Sequence, residues 1–104
     1  MMNKILSVGI AQVNPRLGDF QANLSHCESA VHRVQAQGLD LLVFPELSLT
    51  AYHLCDMVAT VALRLDAPEI AQLKEWSCQV GLIIGLVEES ADYRFYHAAM
   101  YLAD

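Results

Sequence analysis

The chain has 104 residues, with six lysines and arginines against twelve aspartates and glutamates, and a formal net charge of −6. Hydrophobic residues make up 55% of it and charged residues only 17%. So apolar a chain is not intrinsically disordered, because it can bury enough surface to offset the entropy lost on folding. The acidic balance, without a basic cluster, argues against nucleic acid and anionic membranes as partners.

The low charged fraction, the cysteines and the N-terminus indicate how the chain packs and in which compartment it is found. A small domain exposes much surface, so the low charged fraction predicts that one face packs against another part of the molecule or another subunit. Cys27, Cys55 and Cys78 form neither a CxxC metal site nor a disulfide framework. The N-terminus lacks the features of a secretory signal, and no apolar run could span a membrane. We therefore expect a cytoplasmic protein without a metal or other cofactor.

The first half of the chain predicts a strand, a helix and a second strand. Ile5–Val13 is a nearly continuous apolar run, typical of a strand buried on both faces. Asp19 is placed to cap a helix beginning at Phe20, where the apolar period changes to three and four. Gly38 is placed to end that helix with a left-handed cap. Leu39–Phe44 is a second buried strand.

The second half predicts two helices followed by two strands. Leu54–Leu65 has helical spacing, Asp66 is placed to cap a further helix, and Gly81 is placed to end it. Leu82–Val87 and Arg94–Ala103 are the remaining strands. The resulting order, β-α-β-α-α-β-β, predicts an α/β fold whose sheet is built first by parallel crossovers and then by a hairpin. Its helices can cover mainly one sheet face, so the architecture looks unfinished.

Glu46 is the outstanding candidate for chemistry. It follows the second strand and Pro45, and open α/β sheets place ligand groups just beyond the carboxyl ends of their strands. Its apolar neighbours, Phe44 and Leu47 among them, predict a desolvated carboxyl whose pKa is raised toward that of a general base. From the residues alone, a capping or ion-paired glutamate at a strand end is the commoner alternative.

The residues around Glu46 resemble a known family. Phe44–Tyr52, which reads FPELSLTAY, is similar to the motif around the first catalytic residue of the nitrilase, or carbon–nitrogen hydrolase, superfamily. Further segments resemble the opening strand and first helix of that family and its next two strands: Val8–Pro15 with Gly18, Asp19 and Asn23, then Gly81–Gly85 and Tyr96–Ala99. The resemblance spans nearly the whole chain in the family's order.

This resemblance implies an α-β-β-α sandwich that hydrolyses a nonpeptide C–N bond of a small-molecule amide or nitrile. The family uses a Glu–Lys–Cys triad, in which glutamate is general base to a cysteine nucleophile and lysine stabilises the oxyanion. Glu46 aligns with the general base. Tyr52 aligns with a position that often lines the substrate pocket.

Departures from the family pattern are equally informative. The family's lysine and cysteine would follow residue 104, so we expect residues 1–104 to be the N-terminal portion of a carbon–nitrogen hydrolase domain, inactive alone and homo-oligomeric. His97 stands where the family usually carries asparagine, and we expect its imidazole to satisfy a buried backbone group. Ala51 stands where glycine is common, which predicts a backbone angle there that any residue can adopt.

Three functional hypotheses remain open. A stand-alone amidohydrolase is favoured, because the chain lacks the proline-rich stretch that usually follows the position of Tyr52 in the glutamine-hydrolysing domain of glutamine-dependent NAD synthetases. That domain is the second hypothesis, since Asn14-Pro15, Gly18-Asp19 and Asp56 resemble it. The third is a catalytically silent interaction module.

Overall fold

Four strands form one sheet in the computed structural model, which describes residues 5–52 and 54–103. The strands are β1 (Val8–Ile10), β2 (Leu41–Val43), β3 (Gly81–Glu89) and β4 (Phe95–Leu102), and they lie side by side in that order. β1, β2 and β3 are parallel, whereas β4 returns antiparallel to β3. The predicted α/β fold, with parallel crossovers followed by a hairpin, is confirmed.

Three helices connect the strands: α1 (Phe20–Val34), α2 (Val58–Val61) and α3 (Pro68–Trp76), with 3-10 turns at Gln35–Gln37 and Cys55–Met57. The Oδ1 atom of Asp19 accepts a hydrogen bond from the Ala22 amide at 3.2 Å, so the predicted cap of α1 is confirmed. Gly38 has the left-handed φ of +66° that ends this helical segment. None of these helices is long and apolar enough to cross a bilayer.

The predicted helix over Leu54–Leu65 is wrong beyond Val61. Helical structure ends at Val61, and the following residues are drawn into extended pairing with the end of β3. The Leu63 amide donates to the Val87 carbonyl at 2.9 Å, and the Glu89 amide donates to the Leu63 carbonyl at 2.8 Å. Hydrogen bonds to the sheet therefore outweigh the helical spacing of the sequence.

Both predicted boundaries of α3 are also wrong. Ala67, not Asp66, precedes the first helical residue, and its methyl side chain cannot make a capping bond. Pro68 at the first helical position has a φ angle already suited to the helix. The helix ends at Trp76, where the Ser77 hydroxyl donates to the Lys74 carbonyl at 2.6 Å. Gly81 is instead the first residue of β3.

α1 and α3 pack on one face of the sheet, where the main hydrophobic core lies. This core includes the inward side chains of β2, β3 and β4 together with the apolar stripes of α1 and α3: Leu24, Cys27, Val31, Leu42, Ile70, Leu73, Trp76, Leu82, Ile84, Leu86 and Leu102. The shared position of these stripes explains the alternation of buried and part-exposed residues along β2 and over residues 81–84 of β3.

The opposite face, which we call the open face, remains accessible. Strand register places Val8, Ile10, Leu41, Val43, Ile83, Ala99 and Tyr101 on it. Ile10 is 76% exposed and Tyr101 is 67% exposed. The strands are thus apolar on both faces, as predicted, but α1 and α3 cover only one of them, and the predicted burial of the first strand on both faces is wrong. On the open face, α2 covers only the end of β3, where Val61 packs with Val87.

Candidate active site

Glu46 begins a loop that is held at the carboxyl end of β2. The buried side chain of Asn23, on α1, donates from Nδ2 to the carbonyls of Leu49 at 2.9 Å and Arg16 at 2.8 Å. Its Oδ1 accepts from the Arg16 amide at 2.7 Å. The Gly18 amide donates to the Thr50 carbonyl at 2.9 Å. One buried amide therefore ties the Glu46 loop to the turn that precedes α1.

Two polar groups from separate parts of the chain meet the carboxylate of Glu46. His97 Nε2, on β4, lies 2.8 Å from Oε1. The Tyr52 hydroxyl donates to Oε2 at 3.4 Å. The structure thus brings together Glu46 and Tyr52, the two candidate site residues of the sequence, and adds His97.

The expected desolvation of Glu46 is not found, since its side chain is 58% exposed. The apolar neighbours that suggested burial point elsewhere. Leu49 is fully buried in the main core, and Leu47 is buried in a smaller cluster with Leu54, Val61 and Val87. The carboxylate projects away from both clusters, because the loop turns its leucines inward.

Tyr52 is half-exposed beside this carboxylate. Partial burial, and then the charge and hydrogen bond of Glu46, raise the pKa of the Tyr52 hydroxyl above its ordinary value. The phenol therefore remains protonated and a donor at neutral pH.

His97 differs from the sequence expectation. Its side chain is 48% exposed and contacts the Glu46 carboxylate rather than a buried backbone group. The cause is the register of β4 against β3. His97 pairs with Val87, and Ala99 pairs with Gly85, which lies beneath the Glu46 loop. His97 is therefore on the sheet face that carries this loop. The sequence did mark this position, because histidine replaces the asparagine that is usual in the family motif. It did not identify Glu46 as the contact of His97, because that contact depends on the register of β4 against β3.

A cavity of about 430 Å³ opens beside these groups. It is lined by Phe44, Pro45, Glu46, Ile83, Gly85, His97, Ala98 and Ala99. Three of these residues are glycine or alanine, which leaves room near the carboxylate. The space therefore suits a small ligand with one polar group facing Glu46.

The loop backbone contains left-handed residues that are not glycine. Leu47 has φ +50° and Ala51 has φ +66°. The expectation of an unrestricted backbone angle at Ala51 is therefore wrong. The amides of Thr50 and Ala51 both donate to the Leu47 carbonyl, which closes the turn and holds this conformation.

The cysteines differ in their exposure. Cys27 is buried, and burial raises the pKa of its thiol to about 12. Cys55 and Cys78 are exposed. Within residues 5–52 and 54–103, histidine, cysteine and acidic side chains form no group of three or more that could hold a metal ion.

Comparison with known proteins shows which enzymes the chain resembles. A glutamine-dependent NAD(+) synthetase of Thermotoga maritima is 33% identical over 102 residues, which are 97% of this chain and 18% of that protein. The enzyme of the same name from Synechocystis is 35% identical over 71 residues, 68% of this chain and 12% of that protein. The chain thus spans less than a fifth of these relatives.

Solved structures show the same fold. The glutamine-dependent NAD+ synthetase of Acinetobacter baumannii, solved with ADP, superimposes with a TM-score of 0.77 at 26% identity, covering 93% of this chain and 18% of that one. An N-terminal amidase solved with a Gln-Gly peptide gives 0.80 at 25% identity, covering 94% and 25%. Residues 7–104 also match the sequence profile of the carbon–nitrogen hydrolases. The chain belongs to the carbon–nitrogen hydrolase family.

Proposed function

We propose that this chain carries the general base, Glu46, of an active site that hydrolyses the side-chain amide of glutamine. The observation that carries the proposal is the placement of Glu46 beyond the carboxyl end of β2, at a cavity lined by small residues. Glutamine is the proposed substrate because the relatives at 33% and 35% identity are glutamine-dependent NAD(+) synthetases. The glutamine-hydrolysing domain is therefore preferred over the stand-alone amidohydrolase that the sequence motifs favoured.

The proposed chemistry needs a base, a nucleophile and an oxyanion donor. The Glu46 carboxylate takes the thiol proton as the cysteine sulfur bonds to the amide carbon, and negative charge develops on the carbonyl oxygen. The proton passes to the departing nitrogen, the C–N bond breaks and ammonia is released. The acyl group remains bound to the cysteine as a thioester. Water activated by Glu46 then releases glutamate and restores the thiol. The nucleophilic cysteine and the oxyanion-binding lysine are proposed to come from chain outside residues 1–104.

Tyr52 is proposed to line the substrate pocket. Its half-exposed ring and its hydroxyl, directed at Glu46 Oε2, place a polar group beside the base. Through its hydrogen bond, the phenol also restricts rotation of the carboxylate. These features support the substrate-binding role that the resemblance assigns to this position.

A second candidate is a stand-alone amidase. The TM-score of 0.80 to the N-terminal amidase solved with a Gln-Gly peptide supports it. Both candidates share attack on a primary amide carbon, so the proposed role of Glu46 is the same in each. They differ in whether free glutamine or a peptide is the better substrate.

The test is a chimera in which residues 7–104 replace the matching segment of the Thermotoga maritima synthetase. We expect glutamate release from glutamine, and we expect Glu46→Gln to lower kcat by about 100-fold or more, as loss of a general base does. Glu75→Gln, at an exposed glutamate on α3, is the matched control and should leave kcat unchanged.

Two outcomes would contradict the proposal. One is a Glu46→Gln chimera as active as its parent. The other is a parent chimera that is folded by circular dichroism yet inactive on both glutamine and Gln-Gly. The 104-residue chain by itself should show no turnover, because only one of the three proposed catalytic groups lies within it; turnover abolished by Glu46→Gln would overturn this expectation.

A further inference from the structure

We propose that His97 is a positioning residue for Glu46, which fixes the carboxylate so that it can accept a proton from a nucleophile. The inference rests on the proposed function. It begins from the 2.8 Å separation between His97 Nε2 and Glu46 Oε1. At this distance the ring nitrogen and the carboxylate oxygen are in direct contact.

Two polar groups contact the carboxylate from different directions. His97 approaches Oε1 from β4, and Tyr52 approaches Oε2 from the far end of the Glu46 loop. A carboxylate has about four lone-pair sites, so the hydrogen bond from Tyr52 and the contact with His97 leave acceptor capacity for a thiol or a water. Contacts to both oxygens fix the plane of the group and the direction of its free lone pairs.

The contact contributes to orientation more than to stability. Both side chains are about half-exposed, and exposed ion pairs have little effect on folding free energy. Misplacement of a catalytic group, in contrast, can reduce the rate by up to about 100-fold. Loss of His97 should therefore be visible in kcat while leaving unfolding by urea nearly unchanged.

The chain offers suitable substitutions for a test in the same chimera. His97→Phe keeps a planar ring of similar size without a donor, and we expect kcat to fall by about 10-fold or more with KM within about twofold. His97→Gln places an amide N–H at a reach similar to that of the histidine Nε2, and we expect it to restore most of kcat. His32→Phe, at an exposed histidine on α1, should have no effect.

A double variant tests whether His97 acts through Glu46. If it does, adding His97→Phe to Glu46→Gln should lower kcat no further. A His97→Phe chimera with the parent kcat, while Glu46→Gln is inactive, would overturn the role of His97 and leave the proposed function intact. Full activity of Glu46→Gln would instead overturn the proposed function, and the role of His97 with it.

The contact can also be tested without turnover, in the 104-residue chain. We expect nuclear Overhauser contacts between the ring protons of His97 and the side-chain methylene protons of Glu46. We also expect the His97 ring signals to move in Glu46→Ala at constant pH, but not in Glu75→Ala. Absence of both effects in the folded chain would overturn the inference, whatever the chimera does.

Discussion

Gly85 lies directly beneath the backbone of Leu47: a Cβ atom on this glycine would be 2.4 Å from the Leu47 nitrogen and 3.1 Å from the Glu46 Cα. Real Cβ atoms do not approach so closely, and the obstructing atoms belong to the backbone, which cannot turn aside as a side chain can. The absence of a side chain on β3 is therefore what allows the loop to bring Glu46 next to His97.

Gly85→Ala should displace the Glu46 loop. We expect a loss of about 1–3 kcal/mol in the free energy of unfolding, as for other overpacked sites, and disappearance of the Overhauser contacts between Glu46 and His97. Urea denaturation and the same spectra measure the two effects. Gly9→Ala is the control, because its added methyl would meet the movable end of the Leu39 side chain. Equal losses in both variants, with the Glu46–His97 contact kept, would contradict this explanation.

Asn23 should be as important for the loop as Gly85. Its buried side chain bonds three backbone groups, and Asn23→Ala would leave the Leu49 carbonyl without this donor in a buried place. Because each unsatisfied buried group costs about 1–3 kcal/mol, we expect a loss of at least about 2 kcal/mol in urea denaturation. Limited proteolysis should also cut the Glu46 loop faster.

A control for Asn23 lies nearby on the same helix. Gln21 is exposed, so Gln21→Ala should change stability by less than about 0.5 kcal/mol. If the two variants unfolded at the same urea concentration and resisted protease equally, the network around Asn23 would not be what holds the loop.

Cys27 makes stability depend on alkaline pH. Its folded pKa of about 12 lies above the 9.0 of an exposed thiol, so between these values the unfolded chain loses a proton that the folded chain keeps. Stability from this residue is complete below pH 9 and falls as pH rises, at about 1.4 kcal/mol per pH unit. Urea denaturation at pH 8, 9.5 and 10.5 measures the slope.

The matched variant for this slope is Cys27→Ala. It retains every other titrating group, so its stability should fall less steeply over the same pH range even though it starts lower. Parallel curves for the two proteins would show that the Cys27 thiol ionises in the folded chain as readily as in the unfolded one.

Much of the fold follows from local pattern, whereas the site geometry does not. The apolar runs and the change of period at Phe20 predict the element order, and Asp19 and Gly38 mark the ends of the first helical segment. The predicted boundaries of elements are wrong where strand pairing competes with helix formation. Leu63, for example, pairs with the end of β3 instead of continuing a helix.

The sequence predicted Glu46 as the candidate catalytic residue, but not its contact with His97 or its exposure. The motif around Glu46 identified the carboxylate, because the family resemblance lies in contiguous residues. Its contact with His97, 51 positions later, depends on the register of β4 against β3, which alternation alone leaves undetermined. Its exposure likewise depends on which leucines of the loop turn into the core, and no local pattern specifies that.

The open face predicts self-association of the 104-residue chain. Ile10 on the edge strand is 76% exposed, and apolar surface of this kind is normally covered in a soluble protein. We expect a dimer or larger species in sedimentation velocity, and binding of a dye that reports exposed apolar surface.

Ile10→Lys should shift the chain toward monomer, because a buried unpaired lysine would oppose packing of two such faces. Leu65→Lys is the control, at a residue that is 57% exposed but lies outside the sheet. A wild-type chain that sediments as a clean monomer without binding dye would contradict the prediction, and equal association of Ile10→Lys and wild type would place the contact on another surface.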